Sequence, residues 1–472
     1  MIAVRVSAAL VMLLILLRAV MAAVLPLSAD EAYYWLWSLH PAAGYFDHPP
    51  MIAWLIRAGT VLSGDTPFGV RLAGVLLSLP ASWFVWRAAA LILKDETKAA
   101  LATLLFNLTL MASVELLAAT PDMPSLVTSA AFVWALANVQ NSGNGKWWLA
   151  VGIAAGLGLL SKYSALFLGL GALVWLVADA RARPWLKSPW PYAGAALALL
   201  IFAPNLLWQA RHHWETFAFQ FGRTADGHLT LRFLGEFLAA QFGLASPLIF
   251  VLMAVGLWRA ARPGSDRLLL ACLAWTGLAY FLEHSLHDRV QGNWPCFLYP
   301  ALAILAADAA SSQGFWRKIS FVAAPLAAVL LLAVYVQAAF ALLAIRKDPL
   351  ARILGRDFAP IGQVAGALVK AHLADAILTT DYETTAWLRF NQPGLKVVQV
   401  NEPWRYPDAP PATQKLLASP LIYLTEFRRD RHPLVQQSFR TMGFPTQMRT
   451  PASLYMLYPV ARPKSSTLGK MP

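Results

Sequence analysis

Charge is scarce in this chain. Asp, Glu, Lys and Arg make up 13% of its 472 residues, against about 25% in an ordinary soluble protein. Beside 58% hydrophobic residues, that shortage excludes a soluble enzyme and marks an integral membrane protein. Cysteine is scarcer still. Cys272 and Cys296 lie in or beside apolar runs, without C-x-x-C spacing, so neither a disulfide framework nor a zinc site is expected. Acids are also in the minority, leaving a net charge of +13. Many of the basic residues sit in short loops between apolar runs, where they set topology, so no nucleic-acid partner is expected. The chain has no repeat of fixed period and no heptad array, which excludes solenoids and coiled coils.

What is abundant is long apolar sequence. A spanning helix needs about 20 mostly apolar residues. About eleven stretches qualify, at roughly 6–25, 68–92, 99–118, 125–140, 147–161, 164–180, 190–208, 236–258, 268–284, 295–310 and 319–344. Arg5, the apolar stretch after it and Met21-Ala22-Ala23 imitate a secretory signal, but the later apolar runs favour an uncleaved first span. The loops after every second span carry Lys94 and Lys98, Lys146, Arg181 with Arg183 and Lys187, Arg259 with Arg262 and Arg267, then Arg317 and Lys318. Lys and Arg collect on the cytoplasmic side, so the N-terminus is expected inside. The opposite loops hold Asp30, Glu31, Asp47, His48, Asp122, Glu283, His284, His287 and Asp288. Polar chemistry is thus segregated to the outer face.

The predicted organisation is a membrane domain, residues 1–345, with an outer loop 26–67, followed by a soluble domain, residues 346–472. In the loop, Tyr33, Tyr34 and Trp37, then Met51, Trp54 and Leu55, fall at helical spacings, as expected of short helices lying in the interface and separated by Pro49-Pro50. After residue 346, charges and prolines increase. Strand-like runs at Ala376–Thr379, Lys396–Val400 and Leu421–Leu424 predict a small α/β domain, placed outside by the odd number of spans.

Several residues stand out chemically. Asp30 and Glu31 point about 100° apart on a helix, so they serve different ends, and both suit helix capping as well as catalysis. Asp122 opens a span at Met123-Pro124-Ser125, where it acts as a cap, as a group facing the outer cavity, or as both. Lys162, an outer lysine against the positive-inside bias, is the candidate cation for a phosphate; snorkelling is its ordinary role. Arg289 offers a guanidinium that grips phosphate bidentately, or pairs with Asp288. Tyr163, Asn293 and Trp294 are candidates to line a sugar site, although Tyr and Trp also serve in aromatic belts. His284 and His287, at i and i+3, leave a divalent cation open as a cofactor without defining a metal site.

The run Asp30–Ile56, DEAYYWLWSLHPAAGYFDHPPMIAWLI, resembles the first outer loop of bacterial members of the dolichyl-phosphate-mannose protein mannosyltransferase family, in the GT-C superfamily. These members are related to the lipid A aminoarabinose transferase and the rhizobial lipopolysaccharide galacturonosyltransferases. ATPDMPS around Asp122, GLGLLSKYSALF around Lys162 and RVQGNWPCFLYPAL around Arg289 extend the resemblance in order. It implies a GT-C polytopic helical fold in the bacterial inner membrane, with a periplasmic active site and a periplasmic C-terminal domain. It further implies inverting transfer of a sugar from a polyprenyl-phosphate donor to a hydroxyl of lipid A, lipopolysaccharide, another glycolipid or a protein. By its match to the family acid, Asp30 is the implied general base, with Glu31 orienting it or capping the helix. Asp47 and His48 stand where relatives carry an acid and a base before paired prolines, which makes Asp47 a candidate for substrate binding and His48, in place of the lysine of the aminoarabinose transferase, one for the donor phosphate; a turn held by the prolines is their ordinary reading. Such chemistry needs one acid for the acceptor proton and one or two cations for the leaving phosphate. A multi-span transporter or flippase is the alternative, which one-sided acids and the lack of duplicated halves disfavour.

Overall fold

The computed structural model describes residues 2–222, 229–262, 264–311, 314–343, 345, 348–356, 358–400, 405–406, 413–450 and 452–464. The chain divides into two compact units. Met1–Ala23 with Ala42–Tyr335 form one, and Val24–Pro41 with Val336–Pro472 form the other.

Helix follows helix through the first three quarters of the chain: α1 (Ile2–Val24), α2 (Ala29–Ser38), α3 (Met51–Ser63), α4 (Pro67–Leu93), α5 (Glu96–Leu108), α6 (Leu110–Glu115), α7 (Asp122–Ser142), α8 (Trp147–Ser161), α9 (Leu166–Ala178), α10 (Pro189–Arg211), α11 (Glu215–Phe221), α12 (Arg232–Leu244), α13 (Pro247–Ala260), α14 (Leu268–His284), α15 (Tyr299–Ala310) and α16 (Phe315–Phe340). Short 3-10 turns, Tyr163–Ala165 and Trp294–Leu298, lead into α9 and α15. Four of these helices, α1, α4, α10 and α16, are long and apolar enough to cross a membrane. The pair α12–α13 makes a fifth if taken as one broken span. The protein is a multi-pass membrane protein.

Local chemistry explains the helix ends. The Thr66 hydroxyl accepts from Gly69 N ahead of Pro67 in α4, and Asp95 accepts from Thr97 N and Lys98 N in α5. Two stretches read as single spans are broken. The 236–258 stretch bends by 108° between α12 and α13, because Ser246 adopts φ +69° and Pro247 brings no N–H to continue the ladder. The 99–118 stretch stops at Thr109, whose extended backbone ends α5 and whose hydroxyl caps Ala112 N in α6.

In the helical unit, α4 packs on α5 and α7, α7 on α8, α8 on α10, α9 on α14, and α13 on α15. Backbones touch where side chains vanish. A Cβ on Gly152 would lie 2.2 Å from the Gly194 carbonyl oxygen, so α8 and α10 cross at a distance only glycine permits. Arg18, 1% exposed, is among the buried charges of this unit; it donates to the Ser78 hydroxyl at 2.9 Å and to Asn107 Oδ1 and Ser113 Oγ at 3.4 Å. Neutral oxygens from α4 and α5–α6 thereby accept from both terminal nitrogens of the guanidinium, while its Nε is buried without a hydrogen-bond partner.

The second unit is α/β. It contains α17 (Pro349–Ile353), α18 (Phe358–Lys370), β1 (Ala376–Thr379), α19 (Tyr382–Asn391), β2 (Val397–Gln399), α20 (Gln414–Ala418), β3 (Leu421–Glu426), α21 (His432–Ser438), β4 (Phe439–Met442), β5 (Thr446–Arg449) and β6 (Leu454–Pro463). The sheet order is β2-β1-β3-β6-β4, with β5 also on β6. β1 is parallel to β2 and β3, whereas β6 is antiparallel to its neighbours. The parallel strands are buried along their whole length, which is why they read as continuous apolar runs.

The α2 helix belongs to this unit. Trp387 donates to the Leu27 carbonyl at 3.1 Å, and Trp35 meets Phe390 edge-on with ring centres 5.0 Å apart. Tyr33, Tyr34 and Trp37, expected in a lipid interface, are buried instead. Tyr33 packs on Tyr382 and Tyr406, and Trp37 donates to the Arg405 carbonyl at 3.3 Å. Helical spacing fixes which side chains share a face but not what that face covers. The α2 and α3 helices are separated by the whole of Leu39–Pro50, with Pro50 as the N-cap of α3, rather than by the proline pair alone.

Candidate functional site

The helical unit builds one polar centre from three distant pieces of sequence. Asp122 opens α7, Lys162 closes α8 in extended conformation, and Asn293 immediately precedes the 3-10 turn Trp294–Leu298. The Lys162 ammonium lies 2.6 Å from Asp122 Oδ1, and the Asn293 amide donates to Asp122 Oδ2 at 2.8 Å. The Cys296 thiol donates to Oδ1 at 3.1 Å. A carboxylate only 3% exposed is thus matched by a cation and two neutral donors. Three sequence candidates, Asp122, Lys162 and Asn293, are brought together. Cys296 was not among the candidates, since a lone buried cysteine carries no spacing signal. Glu115, at the end of α6, also acts electrostatically on Lys162 and accepts from the Thr120 hydroxyl at 3.2 Å. It too was missed.

A polar ladder fixes Tyr163 beside this centre in the sequence. Its hydroxyl donates to Asn205 Oδ1 at 3.0 Å and accepts from Gln209 Nε2 at 2.9 Å, while its ring stacks on Phe217 at 4.7 Å. Asn205 and Thr216 in turn donate to the carbonyls of Ala43 and Tyr45, at 2.8 and 2.9 Å. Gly44 is required there, because a Cβ would lie 2.6 Å from the Trp208 ring. The loop that carries Asp47 and His48 is therefore pinned through its backbone: Gln220 donates to the Asp47 carbonyl at 2.7 Å and Tyr45 N to that of His48 at 3.2 Å. Asp47 is buried and His48 half-buried.

Arg289 and Trp294 have other partners. Arg289 is exposed and donates to Glu236 Oε2 at 2.9 Å, a surface ion pair with α12 rather than with Asp288. The Trp294 ring sits 6.0 Å from that of His284. His284 stacks on Tyr280, and His287 faces Glu283 at 3.4 Å. Among the described residues no three His, Cys, Asp or Glu side chains converge as metal ligands.

The second unit carries Asp30 and Glu31 on the first turn of α2, and it gives them opposite environments. Glu31 is buried and completes a capping box: Ser28 N donates to Glu31 Oε2 at 2.9 Å, and Glu31 N donates to Ser28 Oγ at 3.3 Å. Asp30 is exposed, and the Tyr382 phenol donates to its Oδ1 at 3.0 Å. Burial, and then the nearby Asp30 charge, push the Tyr382 phenol well above its ordinary value, so it remains a donor at any physiological pH. No sequence signal links Tyr382 to Asp30 across such a separation.

The family model described as dolichyl-phosphate-mannose-protein mannosyltransferase matches residues 47–208. The lipid A galacturonosyltransferase RgtD of Rhizobium johnstonii is 30% identical over 283 residues, 59% of this chain and 59% of that protein. The lipopolysaccharide core galacturonosyltransferase RgtB of the same organism is 25% identical over 405 residues, 81% of this chain and 80% of that protein. The match to RgtD therefore spans less than two thirds of its length. Among solved structures, ArnT from Cupriavidus metallidurans bound to undecaprenyl phosphate superposes with a TM-score of 0.65 at 17% identity, covering 96% of this chain and 97% of that one. Identity that low establishes a shared fold and nothing finer. Over residues 47–208 the chain is similar to the dolichyl-phosphate-mannose-protein mannosyltransferases, and along nearly its whole length it shares the fold of ArnT.

Proposed function

We propose that the protein is an inverting glycosyltransferase that moves a sugar from a polyprenyl-phosphate donor to a hydroxyl of a lipid A, lipopolysaccharide or related glycolipid acceptor. The acceptor oxygen attacks the anomeric carbon, the bond from that carbon to the phosphate oxygen breaks, and the polyprenyl phosphate departs with the bonding pair. The acceptor proton passes to the Asp30 carboxylate. The leaving phosphate is already acidic, so it needs a neutralising cation rather than a general acid. Lys162, held on Asp122, supplies that cation. Tyr163, Asn293, Asp47 and His48 belong to the donor's surroundings, and Trp294 and Arg289 to their periphery.

One observation carries the assignment of the base. Of the three catalytic candidates, Glu31 is buried in its capping box and Asp122 is enclosed by Lys162, Asn293 and Cys296, whereas Asp30 is exposed with a phenol donating to it. Access is what a group needs to receive a proton from a substrate. The relatives' names agree on chemistry: lipid A or lipopolysaccharide core galacturonosyl transfer, and an ArnT that binds undecaprenyl phosphate.

Transfer takes place on the periplasmic face of the inner membrane, with the short apolar helices and the broken α12–α13 pair completing eleven crossings; the distribution of Lys and Arg supports that orientation. The experiment is reconstitution in proteoliposomes with a polyprenyl-phosphate-linked sugar and a phosphorylated glycolipid. The expected product is the glycosylated lipid with inverted anomeric configuration. Solute flux without sugar transfer would instead support a transporter.

A further inference from the structure

The soluble unit holds a cleft that the transfer chemistry leaves unassigned. In the order β2-β1-β3, β1 runs parallel to both neighbours. The chain leaves β1 through α19 to reach β2 on one side, then passes through α20 to β3 on the other. Parallel sheets leave a crevice at the carboxyl ends of strands whose connections diverge in this way, and ligands bind there. An open cleft of about 510 Å³ lies at that point, walled by Thr380, Asp381 and Tyr382 just past β1 and by Arg428 to Arg431 just past β3, with Arg405 alongside.

Its lining defines a ligand class. Four guanidinium groups favour an anion. Two are fixed from behind by acids: Arg428 meets Glu426 at 2.5 Å and Glu383 at 3.2 Å, and Arg429 pairs with Glu383 and lies 3.8 Å from Asp381. Arg405 and Arg429 both approach the Tyr382 ring, at 5.9 and 5.8 Å. Yet Asp381 and Asp430 line the same cleft, so a bare phosphate would meet carboxylates as well as cations. Asp381 is 9% exposed. One of its oxygens caps α19 by accepting from Thr384 N at 2.9 Å, while Oδ2 is buried without a hydrogen-bond partner. A buried carboxylate oxygen needs a donor, which a phosphate monoester dianion lacks and a sugar hydroxyl has.

We propose that this cleft binds a phosphorylated saccharide, with the phosphate on the arginines and a sugar hydroxyl on Asp381 Oδ2. Tyr382 lines the cleft and donates to Asp30. Resting on the assignment of Asp30 as base, this makes the cleft the subsite for the phosphorylated headgroup of the acceptor glycolipid.

The test is equilibrium binding to the full chain in detergent micelles, with glucose 1-phosphate, inorganic phosphate and glucose as probes. Glucose 1-phosphate is expected to bind at least tenfold more tightly than either of the others, and a phosphorylated glucosamine disaccharide lipid to displace it. Arg405→Gln with Arg431→Gln should weaken binding at least tenfold, and Asp381→Asn should erase the preference over inorganic phosphate. Arg431→Lys, which keeps the charge, should bind within threefold of the parent, and this controls for folding. No saturable binding, or equal binding of glucose 1-phosphate and inorganic phosphate, would overturn the cleft. Binding of glucose 1-phosphate that the glycolipid fails to displace would overturn its role as the acceptor subsite. Asp30→Asn should leave binding unchanged, so failure of the cleft and failure of the base are read separately.

Discussion

Lys162 and Asp122, from the end of one helix and the start of another, form an ion pair of 2.6 Å in which the aspartate is buried and the lysine side chain is 13% exposed. Cys296 and Asn293 complete the carboxylate's partners. The pair therefore has a structural duty beside the functional one proposed for it, and its variants must separate the two.

Lys162→Met alone strands a buried carboxylate, and breaking such a pair costs roughly 3–5 kcal/mol. Pairing it with Asp122→Asn removes the stranded charge. The double variant should recover most of the lost thermal stability while donor use stays down by about 100-fold or more, as expected when a phosphate loses its cation. Thermal denaturation beside the donor kcat/KM checks both halves. Recovery of donor use together with stability would remove Lys162 from the phosphate site.

Cys296 is predicted to matter as a donor rather than as a reactive thiol. Cys296→Ser keeps a hydrogen to give and should stay within about threefold of parental turnover, whereas Cys296→Val removes it and should lose roughly tenfold, the equivalent of about 1.4 kcal/mol. Steady-state kinetics of the two variants decides this. Equal effects would reduce Cys296 to packing.

Glu31→Gln preserves the capping box, because an amide oxygen also accepts from the Ser28 backbone. Turnover within about twofold of the parent is expected, with Glu31→Ala losing on the order of 1 kcal/mol of helix stability. A large loss of turnover in Glu31→Gln would mean that its charge acts on Asp30.

Asp381 supplies a pH dependence. Burial pushes its carboxyl above the ordinary range, opposed by the Thr384 N–H and Arg429 and reinforced by Glu426. A carboxyl raised on folding stabilises fully below its unfolded value, near 3.9, and that contribution is lost as pH rises through the folded value. Asp381→Asn should therefore protect the α19 amides against hydrogen exchange better than the parent at neutral pH, with the difference vanishing below about pH 4. A difference that grows toward acid would contradict this sign.

The helices and the parallel strands were legible because their signals are local. Apolar runs located α1, α4, α10 and α16, and short apolar runs located β1, β2 and β3. Among the antiparallel strands, β5 was not legible: it is largely exposed and carries Gln447 and Arg449, so no apolar pattern marks it. The capping role of Glu31 was legible, and Ser28-Ala29-Asp30-Glu31 carries the S-x-x-E signature of the box it completes. Of the candidate site, the acids and Lys162 could be singled out by their unusual positions in apolar sequence. Their partners could not. Cys296, Glu115 and Tyr382 acquire meaning only from folding, and nothing in residues 30–56 tells that the α2 aromatics pack within the α/β unit.

Asp30→Asn in purified, reconstituted protein tests the central claim most directly, because it keeps the shape of the side chain and removes its ability to take a proton. Turnover should fall by about 100-fold or more, with donor binding, thermal stability and the acceptance of a hydrogen bond from Tyr382 all retained. Turnover close to that of the parent would contradict the assignment of Asp30 as the base.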